Sequence, residues 1–252
     1  MIIISPSKNL NLSNENLSNL KSKPEFNDQV KLITKSVKSL NRKELKSLMN
    51  ISDKLVELNH QRFNQFDKPK NTSKPAALMF SGDTFNGLSI REMDSESLDY
   101  AQNNLRILSG LYGVLKPFDQ IQPYRLEMGT DTSKFMNLNL YEFWGKTLTD
   151  YFNNQFKKSN NNLLYNLSSK EYISVLSSDN VNAEIINFDF KKKVNSELKN
   201  IGMSIKKMRG LMAKFIIENK IQKPEYLENF QWNGFSFKHY IPETKTFLYV
   251  SQ

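Results

Sequence analysis

LRILSGLYGVLKPFDQIQPYRLEMG, the run from Leu105 to Gly129, holds the pattern on which the fold turns. A short apolar run, Arg106 to Leu108, leads straight into Ser109-Gly110-Leu111-Tyr112-Gly113. Three other segments repeat the pattern: Ile2 to Ile4 into Ser5-Pro6-Ser7-Lys8, Ala77 to Phe80 into Ser81-Gly82-Asp83, and Leu163 to Leu167 into Ser168-Ser169-Lys170-Glu171-Tyr172. Apolar runs of this length, bounded by small residues, read as buried strands. Ligands of open α/β sheets bind beyond the carboxyl ends of the strands, so four such loops converge on one site if their strands are neighbours.

The intervening sequence reads as scaffold. Val30, Ile33, Val37 and Leu40 fall at helical spacing, and Leu45, Leu48, Ile51, Leu55 and Leu58 continue it on a second helix. Pro69 to Pro75 reads as a polar surface loop. Ile186, Phe188 and Phe190 alternate with polar residues, which suggests a half-exposed strand, and Lys192 to Gly202 suggests a turn and a return strand. From Ser204 to Ile221, Ile205, Met208, Leu211, Met212, Phe215 and Ile216 make an apolar helical stripe. Lys207 and Lys214 project from the other side as solvated charges, and Arg209 sits at the stripe's edge, where a guanidinium reaches into a neighbouring cleft. The aromatic segment after Pro224 reads as packing, closed by a last strand at Thr246 to Val250.

The chain has 252 residues, 38% hydrophobic and 12% aromatic, enough packing material for one core, so a single domain spanning 1–252 is expected. The fold class is α/β of mixed α+β type, a central mixed sheet with surrounding helices. With no cysteine there are no disulfides, thiolate nucleophiles or iron–sulfur clusters. Ser5, Pro6 and Lys8 interrupt the apolar Met1 to Ile4 far short of a signal peptide or membrane span, so a cytoplasmic location and no membrane partner are expected. The formal charge of +9 suits a polyanionic partner, although an Asn- and Lys-rich composition produces such a charge on its own. Its distribution says more: Lys191 to Lys223 holds ten basic residues and two acidic ones, Glu197 and Glu218.

Several residues are candidates for chemistry. Gly110 and Gly113 permit tight backbone geometry, either as a cradle of N–H groups for a phosphate or as a turn beneath the sheet. The pattern Ser109 to Val114 is similar to the hairpin of helix-hairpin-helix motifs, which grip a nucleic-acid backbone without reading bases. Tyr124, Arg125 and Glu127 combine a stacking surface, a phosphate donor and an acid or base; Arg125 and Glu127 can equally pair with each other on one face of an extended segment. Asp83 and Glu171 stand where a general base could sit, with helix capping by the neighbouring serines as the competing explanation. His60 and His239 have no ligand partner at metal-site spacing, and no metal or cofactor is expected.

Six blocks carry a family resemblance: Ser5 to Lys8, Phe80 to Asp83, Leu105 to Gly129, Leu140-Tyr141-Glu142-Phe143-Trp144, Asn166 to Tyr172, and Lys206 to Ile217. In this order they resemble the YaaA family over almost the whole chain. That resemblance implies a cytoplasmic protein of hydrogen-peroxide stress, linked to limiting free iron and oxidative damage to DNA. It also implies a mixed α/β fold of unusual topology with a basic cleft suited to DNA. Ser7 and Met208 stand where the family more often has alanine, and Val194 to Gly202 replaces a glycine-centred basic turn.

Two functions follow as expectations. In one, the protein binds double-stranded DNA, with Ser109, Gly110, Tyr112 and Gly113 of the hairpin and the Lys191 to Lys223 surface, including Lys207, on the phosphates. In the other it is an enzyme on a nucleobase or nucleotide. Tyr112 or Tyr124 then stacks the base, Arg125 and Arg209 hold phosphate, and Asp83 or Glu127 is the acid or base. Lys8 belongs to the same phosphate-binding set. Iron sequestration by carboxylates and histidine is a third and weaker possibility.

Overall fold

The computed structural model describes residues 1–13, 21–69, 71–176, 180–200 and 202–251. Strand β1 (Ile2–Ile4) is buried at every position, as an interior strand covered on both faces must be. The chain then forms β2 (Asn9–Leu10) and three helices, α1 (Asn27–Lys38), α2 (Arg42–Met49) and α3 (Asp53–Gln65). The second helix expected from sequence is thus two helices. Asn50 adopts a left-handed conformation (φ 47°), and Asn41 opens α2 with a capping box closed by Glu44.

Next come β3 (Lys74–Pro75), the single turn α4 (Ala76–Met79), β4 (Phe80–Ser81), α5 (Asp83–Leu88) and α6 (Ser95–Asn104). The strand expected at Ala77 to Phe80 is therefore mostly a buried helical turn; a four-residue apolar run does not by itself separate the two. Nor is Pro69 to Pro75 wholly a surface loop. Lys74 is buried and donates to the carbonyls of Asn11 and Ser13, while β3 pairs with β7 (Gln120–Ile121), which follows β5 (Leu105–Ser109) and β6 (Gly113–Leu115).

The remainder is α7 (Ser133–Met136), α8 (Leu140–Ser159), β8 (Leu163–Leu167), α9 (Lys170–Ile173), β9 (Glu184–Val194), β10 (Glu197–Lys199), α10 (Gly202–Glu218), β11 (Gln231–Trp232), β12 (Phe235–Ile241) and β13 (Thr246–Ser251). The return strand and the last strand stand where the sequence placed them. Helix α10 matches the apolar stripe, but Lys214 is not freely solvated: it pairs with Glu92 at 2.9 Å and Glu218 at 3.8 Å.

The main sheet runs β11-β12-β13-β9-β8-β1-β5-β6, with β10 on the far part of β9. Its centre, β13-β9-β8-β1-β5, is parallel, and the flanking pairs are antiparallel, so the sheet is mixed and helices surround it. Three of the four expected strands, β8, β1 and β5, lie side by side. After β1 the chain goes to β5 on one side, whereas after β8 it goes to β9 on the other. The loops at these two carboxyl ends diverge, which opens a crevice between them. The fourth loop reaches the crevice by another route: β4 pairs antiparallel with β2 beside the loop after β1.

Candidate functional site

A cavity of about 650 Å³ occupies that crevice. Its floor and sides come from Ser5 to Asn9 after β1, Leu167, Ser169, Glu171 and Tyr172 after β8, and the extended segment Tyr124 to Glu127. Gly82, Asp83 and Thr84 at the start of α5, with Lys206 and Arg209 of α10, complete the wall. The volume lies within the range of sites for small organic ligands.

Serines fasten these loops together. Ser5 Oγ accepts the Ser169 backbone N–H at 2.8 Å, and Ser7 Oγ donates to the Ser81 carbonyl. A second fastening is steric. A Cβ on Gly87 would strike the Lys207 carbonyl oxygen, and one on Gly210 would strike that of Thr84, so α5 and α10 pack backbone against backbone. This contact fixes Asp83 and Thr84 relative to Lys206 and Arg209.

The charges are distributed unevenly. Glu127 lies within ion-pair distance of both Arg125 (3.0 Å) and Lys8 (3.3 Å), and the Arg125 and Glu127 side chains are only 15% and 16% exposed. The mutual pairing open to an extended Arg-x-Glu therefore occurs, but at the cavity wall. The same Glu127 Oε1 has no aligned hydrogen bond, so charge rather than directed bonding holds it. Glu171 accepts the Gly129 N–H at 3.0 Å, which ties α9 to the end of this segment. Arg209 and Asp83 have no hydrogen bond or ion pair with any partner among the described residues. Burial lowers the affinity of Arg209 for its proton, partly offset by Asp189 nearby. Burial pushes the Tyr124 and Tyr172 hydroxyls well above the ordinary phenol range, so both remain protonated.

The structure therefore brings Lys8, Asp83, Tyr124, Arg125, Glu127 and Arg209 to one cavity. It does not bring Ser109, Gly110, Tyr112, Gly113 or Lys207 there. The residues from Ser109 to Leu115 are all buried. Ser109 to Gly113 form the turn between two strands, not a link between helices, because β5 and β6 pair through Ser109 and Gly113. Gly113 takes φ +71°, and a Cβ there would lie 2.7 Å from the Trp144 ring, whose N–H donates to the Gly110 carbonyl at 3.0 Å. The turn works from below. Ser109 Oγ bonds the Tyr124 hydroxyl at 2.6 Å, and the Tyr112 hydroxyl accepts the Gln122 N–H at 3.0 Å, so the hairpin positions the segment that lines the cavity. Lys207 sits 5.0 Å from the centre of the Trp232 ring instead.

Ser5, Ser7 and Tyr172 of the converging loops also line the cavity, as does Lys206, which the helical stripe did not single out. Lys206 and Lys207 are neighbours on α10, and the first lines the cavity while the second does not. His60 lies on α3 beside Asn64, and His239 is exposed on β12. Among the described residues no group of three or more histidines and carboxylates could hold a metal ion, and no helix is long and apolar enough to cross a membrane.

Known proteins are similar to this chain over nearly its full length. The UPF0246 protein of Caulobacter vibrioides (strain NA1000 / CB15N) is 39% identical over 238 residues, covering 94% of this chain and 93% of its own length. UPF0246 protein IL2146 of Idiomarina loihiensis is 39% identical over 251 residues, 99% of this chain and 97% of its own. The UPF0246 protein of Legionella pneumophila (strain Corby) is 37% identical over 253 residues, with 99% and 98% covered. The family described as peroxide stress protein YaaA matches residues 1–240, and the chain belongs to that family.

Proposed function

We propose that the cavity binds a phosphate-bearing nucleotide unit. Arg209, Lys206 and Lys8 face the phosphate, Tyr124 and Tyr172 form the wall against the base, and Glu127, between Lys8 and Arg125, is the group for acid–base chemistry. The observation that carries this is Arg209, a guanidinium half-withdrawn from water on a cavity wall with no anionic partner bonded to it among the described residues. A half-buried guanidinium that has only Asp189 nearby gains a bidentate partner in a phosphate. The site works in the cytoplasm during the response to hydrogen peroxide, and its link to free iron is to be measured in cells carrying the cavity variants.

Titration calorimetry with adenosine 5′-monophosphate tests this directly. Wild-type protein is expected to bind, and Arg209→Met to weaken binding by about tenfold or more, the size of a lost charge-assisted contact. Equal affinity of the two proteins would overturn the assignment of Arg209.

A second reading, binding of double-stranded DNA, is supported by a different set of residues. Lys192, Lys193 and Lys223 are exposed and have no carboxylate partner among the described residues; the first two lie on β9 and the third follows α10. A duplex on these lysines loses affinity steeply with salt, and removing two phosphate contacts lowers the slope of log K against log salt by about two. A flat salt response would exclude that surface.

A further inference from the structure

The wall made by α5 and α10 carries two opposite charges that do not neutralise each other. Asp83 opens α5, and Arg209 lies one residue before the glycine that presses α10 onto α5. Both side chains line the cavity, yet they form no ion pair, and neither has another bonded partner among the described residues. Elsewhere in the same cavity the opposite holds, for Glu127 is within reach of two cations. The helices that carry them meet backbone to backbone at Gly87 and Gly210, which limits how far one can slide on the other. A carboxylate and a guanidinium on one cavity wall, neither hydrogen-bonded nor ion-paired among the described residues although Asp189 lies near Arg209, are complementary to a molecule that carries an anion at one end and an N–H donor at the other.

Resting on the reading that this cavity takes a nucleotide, we propose that Asp83 is a specificity-determining residue that selects bases bearing an exocyclic amino group. A carboxylate has only acceptor sites when ionised, so it receives an –NH₂ and repels a carbonyl oxygen placed at the same position. Adenine is then preferred to hypoxanthine, and cytosine to uracil, while Arg209 holds the phosphate common to all four. Discrimination of this type is steep, because the wrong base leaves a half-buried carboxylate facing an acceptor.

Calorimetric titration of the full chain with the 5′-monophosphates of adenosine, inosine, cytidine and uridine separates the possibilities. Wild type is expected to prefer the amino-bearing member of each pair by about tenfold or more. Asp83→Asn and Asp83→Ala are expected to bring both ratios to within about twofold, with circular dichroism confirming the fold of each. Arg209→Met is expected to weaken all four ligands alike and keep the ratios. If wild type binds the four equally, or if the ratios survive in both Asp83 variants, the role of Asp83 is overturned while the nucleotide reading stands. If wild type binds none of them, both fall together.

Discussion

The turn from Ser109 to Gly113 and the junction of α5 with α10 each depend on a pair of glycines, and they use them to opposite ends. In the turn, Gly113 makes room for the Trp144 ring and Gly110 for the backbone of Leu126 and Glu127. It is packed against protein, and it supports the cavity through the bonds that Ser109 makes to Tyr124 and Tyr112 to Gln122. At the junction, Gly87 and Gly210 remove side chains so that two helices touch through their backbones, and the residues beside them, Asp83, Lys206 and Arg209, are left facing open space. A glycine pair thus reports a close backbone approach, while its surroundings determine whether a ligand or the protein itself comes near.

Changing the junction should have the largest effect. A Val side chain at position 210 cannot fit against the Thr84 carbonyl, so Gly210→Val forces the helices apart and is expected to destabilise the fold by upward of about 3 kcal/mol. Gly113→Ala combines a left-handed alanine with a collision against Trp144 and should cost about 3 kcal/mol, a fall in Tm of roughly 6–12 °C in thermal denaturation. The two should differ in binding. At low temperature the folded fraction of Gly113→Ala keeps the spacing of Asp83 and Arg209, whereas the milder Gly210→Ala shifts it and loses nucleotide affinity. Equal binding losses in the two variants would erase the distinction drawn between the regions.

A smaller effect isolates the support that the turn gives to the cavity. Tyr124→Phe removes the bond to Ser109 and keeps the ring, and it should lower stability by about 1 kcal/mol, or roughly 2–4 °C in Tm. Ser109→Ala also breaks the Tyr112 N–H to Ser109 Oγ bond, so it should cost somewhat more. A double-mutant cycle between the two should return a coupling of about 1 kcal/mol; a coupling near zero would mean that the turn does not hold the cavity segment.

Much of this arrangement was legible in the sequence because strand ends and small residues follow local rules. Ile2 to Ile4, Leu105 to Ser109 and Leu163 to Leu167 are strands in a row, and the loop residues Lys8, Glu171 and Tyr172 do meet beyond them. Arg209 at the edge of its stripe reaches the cleft, as the side-chain length and helix geometry led one to expect. Other features depended on contacts between distant segments. Ala77 to Phe80 became a helical turn because the N–H groups of Ala76 and Ala77 find the carbonyls of Asp119 and Pro117, some forty residues away. The Ser109 to Gly113 turn has the composition of a phosphate cradle, and only Trp144, on another element, shows that the space it encloses is filled. Lys206 and Lys207 are adjacent in sequence and differ only in what lies opposite them.

That last pair gives the smallest effect and a sharp contrast. Lys207 projects over Trp232, an exposed cation–π contact worth about 0.5–1 kcal/mol, so Lys207→Ala should lower stability slightly. Lys206 has no partner among the described residues and lines the cavity, so Lys206→Ala should leave stability within about 0.5 kcal/mol and weaken nucleotide binding a few-fold at low salt. Raising the ionic strength should shrink the loss at Lys206, because an exposed ammonium acts on phosphate through screened charge. It should barely alter the loss at Arg209, which is partly buried and paired at short range. Should Lys207→Ala weaken the free nucleotide as much as Lys206→Ala does, the phosphate would have to lie on the outer face of α10, and the separation between cavity and surface cations would no longer hold.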